Sequence, residues 1–333
     1  MRDETSTSVD RGQYEDAVTP WEQEAWRAAA LDWVADGLAA HGLRENGRRE
    51  VRLRPWSVLI RVPVEGRAPV WFKANPPASV WEGALTEALA RWVPEHVLEP
   101  LAVDAERGWS LLPDGGELFR HVLERDGAGP EVWEDVLRRY AAMQRALVPY
   151  AGDIERVGVP SARTAALPEV FDRLVAENTV LRPDQRGSLA ALRPRLVDWC
   201  AELVALSVAD SLDHADLHDG QFFHPAPARF TFFDWGDASV THPFCSLRIP
   251  VAKAGERYGA EVMGRLRDAY LEPWTDAGRT TSTELRRAVS LAWRLAALGR
   301  AASWGRVFSS AGSGAVEEAS ARWLLELLTA PPV

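Results

Sequence analysis

The sequence predicts an α+β chain of two lobes, a small β-rich lobe carrying one prominent helix and a larger, mostly helical lobe. Three observations predict it. Strand-like, β-branched runs fall between residues 51 and 112; helical periodicity dominates after Asp114-Gly115-Gly116; and one compact strand-like island interrupts the helices between Leu212 and Phe233. They place a polar, frayed tail at residues 1–18, an N-lobe at 19–114 and a C-lobe at 115–333.

Taken in chain order, Thr19-Pro20-Trp21-Glu22 supplies an N-cap, a proline suited to the first helical position and the glutamate of a capping box. Trp26, Ala29, Ala30, Trp33, Val34 and Leu38 then share one helical face. Residues 51–64 read as strand, Glu65-Gly66-Arg67 as a turn, and residues 69–74 as a returning strand that Pro76-Pro77 ends. A helix is expected over 79–92, with Leu85 and Leu89 four apart. Apolar runs near 98–103 and 109–112 flank Asp104-Ala105-Glu106-Arg107-Gly108 at hairpin spacing. Further helices are expected at 131–147, 168–179, 188–208, 258–271, 283–304 and 315–329.

The 333 residues are 47% apolar and 26% charged, a globular composition. The net charge of −10 argues against nucleic acid as a partner and suits cationic small ligands. Cys200 and Cys245, in apolar contexts, are too few for a disulfide framework or a zinc cage. No apolar run reaches the roughly 18 residues of a membrane span; Asp198, Glu202 and Asp210 interrupt the longest one. The first twelve residues lack the apolar stretch of a secretory signal, so a soluble cytoplasmic protein with no membrane partner is expected. Of 38 basic residues only Lys73 and Lys253 are lysine, which makes each a candidate for a site that needs a compact ammonium rather than a planar fork, with chance survival as the alternative.

The chemistry concentrates in the island, His214-Ala215-Asp216-Leu217-His218-Asp219-Gly220-Gln221, followed by Phe233-Asp234-Trp235-Gly236-Asp237. Phosphoryl transfer to a hydroxyl needs a carboxylate to orient or deprotonate the acceptor and oxygen ligands to hold Mg²⁺ against nucleotide phosphates. An aspartate, an amide five residues on and a second aspartate across a short hairpin can supply that set. His-x-Asp, the amide at 221 and Asp-Trp-Gly resemble the catalytic and metal-binding loops of the aminoglycoside phosphotransferase family, small-molecule kinases with a bilobal protein-kinase-like fold. The resemblance spans about residues 20–330 and is strongest at 212–247. It implies an ATP-dependent phosphotransferase with Asp216 as catalytic base, His214 bracing the catalytic loop, and Gln221 and Asp234 as Mg²⁺ ligands.

In the N-lobe the resemblance implies that Lys73 grips the nucleotide phosphates, held by a glutamate of the next helix. Glu82 is the first choice and Glu87 the reserve, although a Ser79-Val80-Trp81-Glu82 capping box would instead occupy Glu82 with backbone. Residues 109–116 resemble the interlobe hinge, with backbone near Leu112 hydrogen-bonding adenine and Pro113 removing one donor. There is no Gly-rich phosphate loop; at the turn Arg54-Pro55-Trp56-Ser57-Val58, Ser57 and its neighbours would cap the phosphates.

Two positions depart from the family pattern. Gln221 stands where asparagine is commoner, and Ser246 where the family often carries aspartate before the leucine. His218 borders the loop, within reach of substrate or metal. The acceptor implied is an aminoglycoside or amino-sugar-like hydroxyl compound, with a neutral sugar, a choline-like alcohol or an amino acid as alternatives. It would contact residues 258–304; Glu256, just before that range, with Glu261, Asp268 and Glu272 within it, offers either an acidic wall or a solvated helix face. A nucleotide-binding pseudokinase is the reading from another class.

Overall fold

The computed structural model describes residues 7–206, 208–226, 229–275, 280–308 and 313–332. They form two compact units, one of residues up to 115 with 306–308, the other of residues 116–305 with those from 313 onward.

The first unit is a six-stranded sheet with two helices. Its strands are β1 (Thr7–Asp10), β2 (Arg49–Arg54), β3 (Ser57–Val62), β4 (Val70–Ala74), β5 (Ala102–Asp104) and β6 (Trp109–Pro113), ordered β1-β2-β3-β4-β6-β5. Only the β1–β2 pair is parallel. The β-rich run over 51–64 is divided into β2 and β3 at the turn expected over residues 54–58, where Pro55 cannot donate to a ladder and Arg54 pairs with Ser57.

Helix α1 (Glu24–Ala40) follows a 3-10 turn, Pro20–Glu22, closed by the Thr19–Glu22 capping box. Its Ala30, Val34 and Leu38 face Val51, Leu53, Ile60 and Phe72 of the sheet. Phe72 and Trp109 sit edge-to-face with each other and with Trp26 and Trp33, the arrangement aromatic quadrupoles favour. Phe308 returns to this core, its N–H donating to the Pro55 carbonyl at 2.8 Å, so residues 306–308 belong here although their position in the chain put them in the expected C-lobe.

The frayed tail expected over 1–18 is corrected from residue 7 on; residues 1–6 lie outside the described residues. β1 pairs along the edge of β2, and Asp10 Oδ2 accepts from Arg54 Nη2 at 3.0 Å. An exposed edge strand needs no apolar residues, which is why its polar composition resembles a loose tail.

Helix α2 (Glu82–Trp92) starts three residues later than expected, after a 3-10 turn at Pro77–Ser79. Leu85 and Leu89 are buried beneath it. Gly83 lets it approach the sheet: a Cβ there would lie 3.1 Å from Val103 Cγ1.

The second unit holds α3 (Phe119–Asp126), α4 (Pro130–Leu147), α5 (Ala151–Val157), α6 (Leu167–Glu177), α7 (Pro183–Ala205), α8 (Arg248–Tyr258), α9 (Met263–Thr275), α10 (Ser282–Ser303) and α11 (Ser313–Glu326). Position 207, inside the helix expected over 188–208, lies outside the described residues. The island becomes β7 (Ser211–Asp213) and the hairpin β8 (Phe222–Ala226) with β9 (Arg229–Phe232); β7 pairs with β10 (Ser239–Thr241). α4 packs on α9, and α10 runs through the centre against α6, α7, α9 and α11.

Helix α8 was not among the expected helices because Pro250 and Gly255 break its pattern. Pro250 lies in the first turn, where its missing N–H has no intrahelical partner to lose. Gly259, at φ +97°, ends α8 and separates it from α9 within the run read as one helix over 258–271.

A buried polar network ties β7 and α9 to α4. Gln144 Nε2 donates to the Leu212 and Pro243 carbonyls at 2.8 and 3.1 Å, and Tyr270 Oη donates to Gln144 Oε1 at 2.6 Å. Cys200 and Cys245 are buried free thiols, and burial pushes Cys200 up to about 12. No helix among the described residues is long and apolar enough to cross a membrane.

His242 caps the turn Pro243–Leu247 by accepting from Phe244 N through Nδ1 at 3.3 Å. Fully buried, its imidazole is pushed down to about 3 by burial. The unfolded chain protonates this histidine near pH 6.5 and the folded chain only near 3, so stability falls as pH falls through that window. In urea unfolding from pH 7 to 5, His242→Asn, which keeps a capping oxygen, is expected to remove up to about 1.4 kcal/mol per pH unit of that slope. An unchanged slope would contradict the assignment.

Candidate active site

The candidate residues divide between the two units. In the first, Lys73 lies on β4 between Leu59 of β3 and Ser110 of β6, so the sheet fixes its backbone on both sides. Its Nζ is 2.7 Å from Glu82 Oε1 on the first turn of α2, and the two residues are 8% and 4% exposed. Glu87, the reserve, faces away and pairs with Arg91 on the exposed side of α2. The Ser79–Glu82 capping box does not form: Trp81 occupies the N-cap position and no side chain caps the helix.

Ser57 is buried at the start of β3, opposite Arg54 across the turn. Leu112 pairs with Trp71 of β4, while β5 pairs with β6 only as far as Leu111. Trp71 Nε1 donates to Asp114 Oδ2 at 3.0 Å, anchoring the segment that follows β6.

In the second unit, β7 delivers His214, Ala215 and Asp216, and the β8–β9 hairpin delivers Gln221 and Asp234 at its open end. Phe222 pairs with Phe232, and Phe233 N donates to the Gln221 carbonyl at 3.1 Å, setting the amide and the carboxylate on neighbouring strand ends. His214 is fully buried; its Nε2 donates to the Phe233 carbonyl at 2.9 Å and its ring packs 4.8 Å from that of Trp235. Burial holds His214 below the usual histidine range, so the neutral ring braces one loop against the other.

Ala215 has φ +62° and Asp234 φ +64°, left-handed conformations uncommon for residues with a Cβ and concentrated where structure over-determines the backbone. At Ala215 the agent is Asp213, whose Oδ1 accepts from Ala215 N at 2.9 Å and from Ser246 Oγ at 2.5 Å. Ser246 therefore faces a buried carboxylate supplied by β7. Tyr140 Oη joins them, 3.1 Å from Ser246 Oγ and accepting from His214 N at 3.2 Å.

Asp216 is half-buried, and its Oδ1 lies 3.2 Å from Arg300 Nη1 of α10. Burial raises its carboxyl above the usual range; Arg300 opposes that rise and Asp237 adds to it. Arg300 Nη1 also donates to Asp237 Oδ2 at 2.8 Å. Nearby, Arg120 binds Asp219 Oδ1 through Nε and Nη2 at 3.0 and 2.8 Å. Burial works against ionisation of Asp219, but His218 and Arg120 outweigh it and lower its carboxyl to about 2.

Asp213, Asp237 and Arg300 were not among the residues singled out from the sequence. Asp213 and Asp237 flank the two motifs directly, a legible signal. Arg300 is one of many arginines, and nothing in its local sequence marks it.

Among the described residues no cluster of three or more histidine, cysteine, aspartate or glutamate side chains could hold a metal. Gln221 and Asp234 offer one amide and one carboxylate oxygen, hard donors of the kind Mg²⁺ takes alongside water and phosphate oxygens. That donor set fits a cation carried in with a nucleotide better than a permanently caged one.

No protein-family model and no curated protein matches the chain. Solved structures do. A macrolide 2'-phosphotransferase from Brachybacterium faecium is 20% identical, with 89% of this chain and 98% of that chain covered at a TM-score of 0.56. A choline/ethanolamine kinase family protein from Mesorhizobium loti is 16% identical, covering 91% and 96% at 0.56. The GDP complex of aminoglycoside 2'-phosphotransferase-IIIa is 13% identical, covering 89% and 97% at 0.55. These likenesses establish the fold: an N-terminal sheet followed by a mostly helical remainder, as in the protein-kinase-like phosphotransferases.

The burial contrast between the two glutamates of α2 is directly testable. Glu82→Ala removes the carboxylate that meets the buried Lys73 ammonium and is expected to cost about 2–3 kcal/mol. Glu87→Ala, whose partner is exposed, should stay within about 0.5 kcal/mol of wild type. Urea unfolding of both variants measures the difference, and equal costs would show that Lys73 does not depend on Glu82.

Proposed function

We propose that this chain is a small-molecule phosphotransferase that moves the γ-phosphoryl group of ATP to a hydroxyl of its acceptor. The observation that carries the reading is the His214–Phe233 hydrogen bond, because it ties the loop bearing Asp216 to the loop bearing Asp234. A base and a cation ligand on braced neighbouring loops are what positioning-dominated phosphoryl transfer requires.

In this reading Lys73, tethered by Glu82, aligns the nucleotide phosphates. Ser57 and the turn before it cap them, and backbone near Leu112 receives the base, where β6 continues past its pairing with β5. Gln221 and Asp234 hold Mg²⁺, which when bound neutralises charge on the phosphates. Asp216 accepts the acceptor's proton, with Arg300 and the buried His214 keeping it in place.

The net charge of −10 supports an aminoglycoside or amino-sugar-like acceptor. One observation favours a second acceptor class. Glu256 pairs with Lys253, Asp268 with Arg267 and Arg286, and Glu272 with Arg138, so three of the four carboxylates of the expected acidic wall, all but Glu261, are held in ion pairs. That favours an acceptor of lower charge, such as a neutral sugar or a choline-like alcohol.

The test is Mg²⁺-dependent ADP release across aminoglycosides, amino sugars, neutral sugars and small amino alcohols. Asp216→Asn is expected to abolish stimulated release while leaving Mg·ATP affinity within a few-fold, and near-normal turnover would remove Asp216 from the mechanism. Asp234→Ala should abolish Mg²⁺-dependent nucleotide binding. Tight Mg·ATP binding with no release across the whole panel would instead support a nucleotide-binding pseudokinase.

A further inference from the structure

The two carboxylate oxygens of Asp216 meet different groups. Arg300 Nη1 lies 3.2 Å from Oδ1 and reaches Asp237 Oδ2 at 2.8 Å. His218 Nε2 lies 3.9 Å from Oδ2. Arg300 is 9% exposed, its guanidinium lies 5.6 Å from the ring centroid of Trp323 on α11, and its Nε has no hydrogen-bond partner among the described residues. The ring and the two carboxylates therefore set its orientation.

On the other side, His218 Nδ1 accepts from Gly220 N at 3.0 Å and lies 3.3 Å from Arg120 Nη2. Nδ1 also lies 3.6 Å from Asp219 Oδ1, so that nitrogen faces Gly220, Arg120 and Asp219, and Nε2 is the ring nitrogen that faces Asp216.

We propose that Arg300 is a positioning residue for phosphoryl transfer: it occupies Oδ1 of Asp216, ties α10 through Asp237 to the turn after Asp234, and leaves Oδ2, on the His218 side, to receive the acceptor's proton. The proposal rests on the phosphotransferase reading above. In the step it serves, the acceptor oxygen bonds to the γ-phosphorus of a nucleoside triphosphate as its proton passes to Oδ2. The bond from that phosphorus to the bridging oxygen breaks, and the nucleoside diphosphate leaves with the bonding electron pair.

A second constraint makes the arginine necessary. Asp216 and Asp237 are two carboxylates sharing one cation, and without it their repulsion in a partly buried setting favours protonation of one of them. The charged and titratable groups facing Asp216 are Arg300 of α10, Asp237 of the 3-10 turn Trp235–Asp237, and His214 and His218 of its own loop.

The experiment combines kinetics with a readout independent of turnover. Arg300→Met is expected to lower kcat about 100-fold, the scale of a small misplacement of a reacting group. KM for Mg·ATP should stay within a few-fold, and the acidic limb of the kcat/KM profile should move to higher pH. Arg300→Lys, which keeps a cation, should recover part of both effects. In protein carrying ¹³C-carboxyl aspartate, the Asp216 signal, identified by its loss in Asp216→Asn, should titrate at higher pH in Arg300→Met. It should titrate at lower pH in Asp237→Asn, which removes the neighbouring negative charge and serves if Arg300→Met does not fold.

An unmoved Asp216 midpoint in these variants, or a loss of kcat with an unmoved acidic limb, would overturn the proposal and reduce Arg300 to packing. If the wild-type protein releases no ADP with any acceptor, the phosphotransferase reading fails by itself, and the carboxyl titrations still decide whether Arg300 controls Asp216.

Discussion

One buried carboxylate organises the second unit. Asp213 is 1% exposed, and such a group is tolerated only when hydrogen bonds replace its water. Its Oδ1 accepts from the Ala215 amide and the Ser246 hydroxyl, and Ser246 is joined by Tyr140 and Gln144 of α4. The Ala215 bond holds an alanine in the left-handed region, a strain of about 1–2 kcal/mol. That kink sets His214 toward the hairpin and leaves Asp216 partly exposed on the other side. Helix α4, the β7–β10 pair and the 3-10 turn at Pro243–Leu247 are thereby held around the loop that bears Asp216.

The first unit uses a different device. Lys73 is fixed by strand pairing on both sides, and its ammonium is met by a glutamate at the first turn of α2, which reaches it because Gly83 permits close approach to the sheet. Removing one member of such a buried pair costs far more than the intact pair contributes. The pair therefore acts as a constraint on where the ammonium sits more than as a source of stability.

The exposed ion pairs have another effect. With arginine supplying nearly every cation, the carboxylates of α9 are engaged: Arg138 forks onto Glu272, and Arg286 onto Asp268. Exposed pairs of this kind contribute little to stability. They do change the charge a ligand would meet, so net charge alone is a poor guide to the acceptor.

The sequence by itself determined the order of the two units, the strand that carries Lys73, the hairpin that carries Gln221 and Asp234, and the proximity of His214 to Asp216, because those features follow from local periodicity, turn residues and short spacing. Some misreadings were local too: the edge strand β1 is polar like a loose tail, and Pro250 and Gly255 hide α8. Tertiary structure alone decided the rest. Glu82 and Glu87 are nearly equivalent in sequence, and only the packing of α2 on the sheet shows which one meets Lys73. Ser246 reads as a missing acid until the fold places it against Asp213. Arg300 became legible only when α10 brought it between Asp216 and Asp237. The physical reason is that a long-range polar contact depends on where two distant backbones pass each other, and no residue pattern within a single helix or strand encodes that.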